Sequence, residues 1–478
     1  KSGRKLDSKQ ALSAYHLAHS LNGCNFSVPG SGKTTTVYAA YSYLKSVGIV
    51  DKLLVIGPQS CFGPWEIEYE ECFATSVNSV RANKLSSEDR INFLRSIVEE
   101  ELVLLGFQSL ANHVEDVKEF LKVNDKVMVV IDEAHNIKRV EGGIWAPAAL
   151  SIAPYAASRV ILTGTPAPNG YEDLYNLFEF IWPNKRLIDM TVRQLNRITR
   201  SSLEEEVIDS RSRRAIKSLI DSLKPFFVRV RKSDLNLPEP IIHPTIYVEM
   251  GEYQRSIYES LEDFICEKGS HNLNEAMYDL LKAQTIRLRQ VATNPNLLNF
   301  ALEGDSQFDF TNNEVFNLIR NYSEKEIPNK FKTAKDLVKT IQERGEKVII
   351  WGVFVQNLLL MEEFLAKNGI KSKVIYGEVP VEGEFDDEEE TRESIIRDFH
   401  DPNSSFKVLI ANAATVGESI SLHKACNNAI YLERDFNAAN FLQSKDRIHR
   451  KGLPEGVETN YYFLESRNTL DEVISASL

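Results

Sequence analysis

A series of short apolar runs, broken by stretches of helical period, does most to limit the folds open to this chain. Early on the runs are Leu53-Leu54-Val55-Ile56, Leu102-Val103-Leu104-Leu105, Val127-Met128-Val129-Val130-Ile131 and Val160-Ile161-Leu162. Later come Val348-Ile349-Ile350-Trp351, Lys373-Val374-Ile375-Tyr376, Val408-Leu409-Ile410 and Ile430-Tyr431-Leu432. A strand with one wet face alternates apolar and polar residues. A strand buried on both faces of a parallel sheet reads as one unbroken apolar run. Helical periods lie between them, at Thr35 to Val47, Ser87 to Glu100 and Gln356 to Asn368, the last stopped by Gly369 as a C-cap. The fold class predicted is α/β, with two doubly wound parallel-sheet lobes. Between the lobes the period is mostly helical, with long helices at Gly251 to Lys268 and Asn274 to Val291. The predicted domains are 1–183, 184–332 and 333–478. Glu303 to Asn313 and the acidic Val379 to Glu390 are read as surface loops.

Four segments in fixed order carry the chemistry: Val28-Pro29-Gly30-Ser31-Gly32-Lys33-Thr34, Asp132-Glu133-Ala134-His135, Leu162-Thr163-Gly164-Thr165-Pro166 and Gln443 to Arg450. In the first, glycines let the backbone curl so that successive N–H groups and a helix N-terminus face phosphate oxygens. Pro29 to Thr35 would cradle ATP, with Lys33 neutralising the β/γ-phosphates and the Thr34 hydroxyl on Mg²⁺. The usual first glycine of this pattern is Ser27 here. Asp132 and Glu133 end a buried run, at the carboxyl edge of a sheet where ligands bind in such folds. Asp132 is the expected second holder of Mg²⁺ and Glu133 the expected general base. His135 has no second metal ligand nearby in sequence and is read as a coupling residue. Arg447 and Arg450 are spaced one turn apart on an expected helix face, where two fixed cations could meet a γ-phosphate.

The remaining bulk properties exclude more than they assign. No apolar run approaches the ~20 residues of a membrane span, and Lys1 to Leu6 open no signal peptide, so an intracellular protein without a membrane partner is expected. That means cytoplasm or nucleoid if prokaryotic or viral, and nucleus if eukaryotic. The absence of a starting Met is read as the mark of a processed or excised chain. Cys24, Cys61, Cys72, Cys266 and Cys426 are scattered with no C-x-x-C pair, which argues against a disulfide framework or zinc ribbon. A net charge of −12 speaks against bulk attraction to a polyanion, so grip must come from a local basic surface. The stretch Lys185 to Lys232, rich in arginine, is the candidate, against the plainer reading of a solvated helix face.

Read together, these segments resemble superfamily 2 helicases and, more narrowly, the SWI/SNF-like DNA translocases. The narrowing rests on Leu223-Lys224-Pro225-Phe226-Phe227-Val228-Arg229-Val230-Arg231-Lys232-Ser233-Asp234, similar to the family's segment between motor lobes. It rests also on Leu288 to Pro295, on Ile137-Lys138 after the acidic motif, and on Asp446 to Gly452. The resemblance implies two RecA-like lobes with a mostly helical insertion, and one ATP held across the hinge between them. It implies a motor moving on double-stranded DNA by phosphate contacts without base reading, with flanking domains or protein subunits deciding the process served. It makes Gln10 the candidate adenine reader, and places Thr415, Gly417 and Gln443 where the second lobe senses phosphate, ribose and DNA backbone. Ser60 and Trp65 would contact or support the tracked strand, and Lys138 would touch backbone. Trp351, ending an apolar run, is read as core. Departures from the family pattern are the single glycine in Ala413 to Ser419, Leu453 where Gln is usual, and Gly352-Val353 after the strand. A strand-separating DNA or RNA helicase and an ATP-gated DNA clamp remain rival readings.

Overall fold

Among the described residues, fourteen strands are assembled into two parallel sheets. The computed structural model describes residues 4–204, 210–269, 275–299, 313–380, 390–413, 421–454 and 456–478. The first sheet holds β1 (Asn22–Asn25), β2 (Lys52–Gly57), β3 (Ser79–Arg81), β4 (Leu102–Gly106), β5 (Val127–Ile131), β6 (Ser158–Leu162) and β7 (Phe227–Val228), in the order β3-β4-β2-β5-β6-β1-β7. The second holds β8 (Ile241–Ile242), β9 (Ile246–Val248), β10 (Val348–Gly352), β11 (Ser372–Ile375), β12 (Val408–Asn412), β13 (Asn428–Tyr431) and β14 (Asn460–Ser466). Its order is β11-β12-β10-β13-β14-β8, with β9 also on β14. The chain therefore divides into two compact units, Lys1–Leu237 and Pro238–Leu478.

Each sheet is covered on both faces, which is why its central strands show no alternation. In the first unit Leu54, Ile56, Val129 and Ile131 face one core, while Leu53, Val55, Met128 and Val130 face the other. In the second, Val348 and Ile350 pack under the Val355–Lys367 helix, while Ile349 and Trp351 pack on the opposite face with Phe441. Trp351 is core, as its place at the end of an apolar run suggested. A smaller helical core gathers Ile257, Tyr258 and Leu261 against Leu288 and Val291.

The stretch 184–332 is shared between the units. Helices Val192–Glu204 and Ser210–Leu223 fall in the first, and Glu252–Gly269 and Glu275–Thr293 in the second. Two elements differ from the expectation. The Ser87–Leu94 helix stops short of Glu100, because Asn124 accepts the Val98 N–H and donates to the Ser96 carbonyl, taking up backbone groups a longer helix would use. β1, with sequence Asn-Gly-Cys-Asn, has no apolar run, yet lies buried between β6 and β7. The loop reading of 303–312 and 381–389 lies outside the described residues. Among the described residues no helix is long and apolar enough to cross a membrane.

Candidate nucleotide site

The loop between β1 and the Lys33–Ser46 helix is the expected phosphate cradle, and its shape is set by backbone bonds. Asn25 Oδ1 accepts the Ser27 N–H at 3.1 Å, and the Ser31 N–H donates to the Val28 carbonyl at 3.3 Å. Gly32 sits at φ +81°, and a Cβ there would lie 2.2 Å from Nε2 of Gln10. The left-handed backbone favours glycine, and any side chain there would push the Gln10 amide off the loop. Lys33 opens the helix and its Nζ donates back to the Ser27 carbonyl at 3.2 Å, so the ammonium lies against the loop it would serve. Thr34 follows, half-buried, in the first helical turn. Thr35 is buried and its hydroxyl donates to Glu68, so what it offers a nucleotide is its backbone. Ser27, in the place of the usual glycine, does not need a positive φ. Its hydroxyl accepts the Val230 N–H at 2.9 Å.

Gln10 reaches the cradle from the Ser8–Ser20 helix. Its Oε1 accepts the Asp7 N–H at 3.2 Å, closing a capping box, and its Nε2 lies 3.5 Å from the Ser31 carbonyl. The amide is buried and leans on the loop.

Asp132 and Glu133 stand at the carboxyl end of β5. The Asp132 N–H continues the ladder to the Ile56 carbonyl at 2.8 Å. Its Oδ2 accepts the indole N–H of Trp65 at 2.8 Å, and its Oδ1 accepts the Glu133 N–H at 2.9 Å. Burial first, and then the Glu133 charge beside it, push the Asp132 carboxyl up from the usual range; the Trp65 bond and the Lys33 charge oppose this. Glu133 takes a left-handed φ of +48°, and its Oε2 lies 3.4 Å from Nδ1 of His135. A half-buried carboxylate held against a second carboxylate and near an ammonium is a donor set that a divalent cation would relieve. The residues therefore fit Mg²⁺ with a nucleotide.

Thr163 to Pro166 close the back of the cradle. A Cβ on Gly164 would meet Cδ of Pro29 at 2.8 Å, so the two loops touch at a point where only glycine fits. The Thr165 N–H donates to the Thr163 hydroxyl at 3.1 Å.

Of the two roles expected for Trp65, contact with the tracked strand or support of it, burial excludes the first. It is 1 % exposed, with its ring edge-on to Tyr38, which leaves no surface for a tracked strand. Its role in this fold is to donate to Asp132, a link between residues 67 apart that no local pattern announces. Ser60, in the short Gln59–Cys61 turn after β2, and Lys138, just past the Ala134–Ile137 turn, are half-buried.

In the second unit, Gln443 is buried on the Ala438–Lys445 helix. That helix ends at Lys445, so Arg447 and Arg450 lie in the turns that follow and not on the expected helix face. Past the helix, the Lys445 carbonyl accepts both the His449 N–H at 3.3 Å and the Tyr461 hydroxyl at 2.7 Å, and the Arg447 carbonyl accepts the Leu422 N–H at 3.0 Å. Arg447 is 4 % exposed and Arg450 half-buried. Beside Arg450 stands His423, whose imidazole is pushed down to about 4 by burial and then by the Arg450 charge. Thr415 and Gly417 lie outside the described residues.

Comparison with known proteins bears on the family of the chain. Residues 15–297 match the SNF2-related domain, and residues 329–452 the helicase conserved C-terminal domain. The ATP-dependent helicase fft1 of Schizosaccharomyces pombe is 26% identical over 478 aligned residues, covering 93% of this chain and 48% of that protein. The ATP-dependent DNA helicase DDM1 of Arabidopsis thaliana is 25% identical over 454, covering 91% of this chain and 55% of its own length. This chain thus spans about half the length of these relatives. A solved structure, the Sulfolobus solfataricus SWI2/SNF2 ATPase core in complex with dsDNA, covers 99% of this chain and 90% of its own at 21% identity, with a TM-score of 0.43. With cradle, acid pair and Thr163–Pro166 loop all inside the SNF2-related match, which takes in more than half of the sequence, this chain belongs to the SNF2-related family.

Proposed function

We propose that the chain is an ATP-hydrolysing motor that moves along double-stranded DNA, gripping phosphates without reading bases. The observation that carries this reading is the first-unit site: a glycine cradle at a helix N-terminus, with Lys33 over it and a half-buried carboxylate pair at the carboxyl end of β5. In that site the cradle amides and Lys33 bind and orient the triphosphate of ATP, and Glu133 takes the proton of the attacking water. Trp65 holds the Asp132 carboxylate in place. Thr34 and Asp132 would hold Mg²⁺, which supplies charge neutralisation at the phosphates. Arg447 and Arg450 are the proposed arginine fingers, and Gln443, on the helix before them, the proposed nucleotide contact of the second unit. Relatives named as ATP-dependent helicases support the class of activity. The family match on both parts of the chain supports a motor over a lone nucleotide-binding module.

ATP turnover measured with no nucleic acid, single-stranded DNA, duplex DNA and RNA tests the reading. Strongest stimulation by duplex DNA, with triplex displacement and no fork unwinding, is the expected result. Turnover indifferent to all four conditions would overturn it, and duplex unwinding would replace the translocase with a strand-separating helicase.

A further inference from the structure

Two helices of the first unit carry a basic face that the nucleotide site does not use. On the Val192–Glu204 helix, Leu195 and Thr199 turn inward and are buried, while Arg193, Arg197 and Arg200 are exposed. Their i, i+4, i+7 spacing places the three on one stripe opposite the buried side, spanning about 10 Å at the helical rise of about 1.5 Å per residue. The Ser210–Leu223 helix packs beside it, with Leu219 and Leu223 inward and Arg211, Arg213, Arg214 and Lys217 exposed. Among the described side chains of the two helices Asp221 is the only acid.

The chain as a whole is acidic, at −12, so this concentration of cations runs against its average. The chemistry of the face narrows what it fits. Neither helix contains an aromatic residue, so there is no platform on which unpaired bases could stack. Ile220 is the only exposed large apolar side chain described on them, too little for the apolar centre of a protein interface. Guanidinium groups without aromatic or aliphatic anchors suit a repeating row of phosphates.

The stripe is also tied to the cradle. On its inward side the Thr199 hydroxyl accepts the Tyr171 N–H at 2.9 Å and donates to Glu172 at 2.8 Å. Tyr171 and Glu172 continue the loop that begins at Thr163, and Gly164 of that loop lies against Pro29 of the cradle. We infer that the arginine face of these two helices is a docking surface for the phosphate backbone of duplex DNA, linked to the phosphate cradle through the 163–173 loop. The inference rests on the proposed function for its ligand, although the surface can be tested without turnover.

The test uses the full chain and a DNA duplex of random sequence. Arg193→Gln/Arg197→Gln/Arg200→Gln should keep the fold and the DNA-free ATPase rate, while the slope of log affinity against log salt falls by about 2.7, for three phosphate contacts. Thr199→Val should leave that slope intact and reduce stimulation of ATP turnover by duplex DNA. An unchanged slope in the triple variant overturns the docking surface, and so does loss of binding to poly-glutamate with duplex binding retained, which would assign the face to an acidic protein. Full stimulation in Thr199→Val overturns the link to the cradle. If wild-type turnover ignores DNA, the proposed function fails, while the binding slope still decides the surface.

Discussion

Replacing Glu433 with Gln should remove most of one proton's worth of pH dependence from the second unit. Glu433 follows β13, is 5 % exposed, and accepts the Asn357 amide on Oε1 at 3.0 Å. Its Oε2 has no hydrogen-bond partner among the described residues. Burial pushes its carboxyl up from 4.5 to about 7, against the Asn357 bond and the charges of Lys330 and Arg289. The folded pKa therefore lies above the unfolded one, so the fold prefers the protonated form. The associated stability is fully present below about pH 4.5 and is lost as pH rises through 7. The rise from 4.5 to about 7 corresponds to about 3 kcal/mol in all, of which about 2.5 kcal/mol falls between pH 5 and pH 8. Glu433→Gln keeps the shape and the Asn357 bond but cannot ionise. Hydrogen exchange in urea, read on peptides covering β10 and β13, reports this unit separately from the other. The expected result is a variant that gains about 2.5 kcal/mol on wild type between pH 5 and pH 8. Parallel pH profiles for the two proteins would refute the reasoning, because they would mean the carboxyl is hydrated and titrates as in the unfolded chain.

Other substitutions separate stability from chemistry. Lys330 is 2 % exposed and donates to Asp471 and to the Leu432 carbonyl, so Asp471→Ala should cost about 3–5 kcal/mol by stranding a buried ammonium. The pair change Lys330→Met/Asp471→Leu should cost clearly less, as measured by urea denaturation. Lys33→Ala is expected to abolish ATP turnover with little change in stability, while Glu133→Gln should retain bound ATP in a filter-binding assay and hydrolyse it slowly. Arg450→Ala should bind nucleotide normally and hydrolyse it about 10³-fold or more slowly, and normal turnover would exclude it as a finger.

Much of the fold could be read from the runs, because strands such as β5, β10 and β12 are buried on both faces and their sequences have no reason to alternate. β1 was opaque for the opposite reason. Its asparagines are buried but internally satisfied, Asn22 by Arg159 and Asn25 by the Ser27 N–H. β14 was missed as well, although Tyr461 to Leu464 lie wholly within the core. At the site, the cradle and the acid pair are local in sequence and were legible. The indole that steadies Asp132 comes from another element, and the turn holding Arg447 and Arg450 is made by Leu422 and Tyr461, so neither could be read from spacing.

The hydroxyl of Ser27 has a mechanical consequence. The segment that leaves the first unit does so as β7, in register with β1, with Val228 accepting from Phe26, Val230 accepting from Val28 and the Val230 N–H donating to Ser27. The root of the cradle and the outgoing chain are thus stitched edge to edge, a bolt where a slack hinge could have been. Tension on residues 231–237 would pass through these bonds straight to the loop's first residues, and a glycine at position 27 would leave that bolt without its pin.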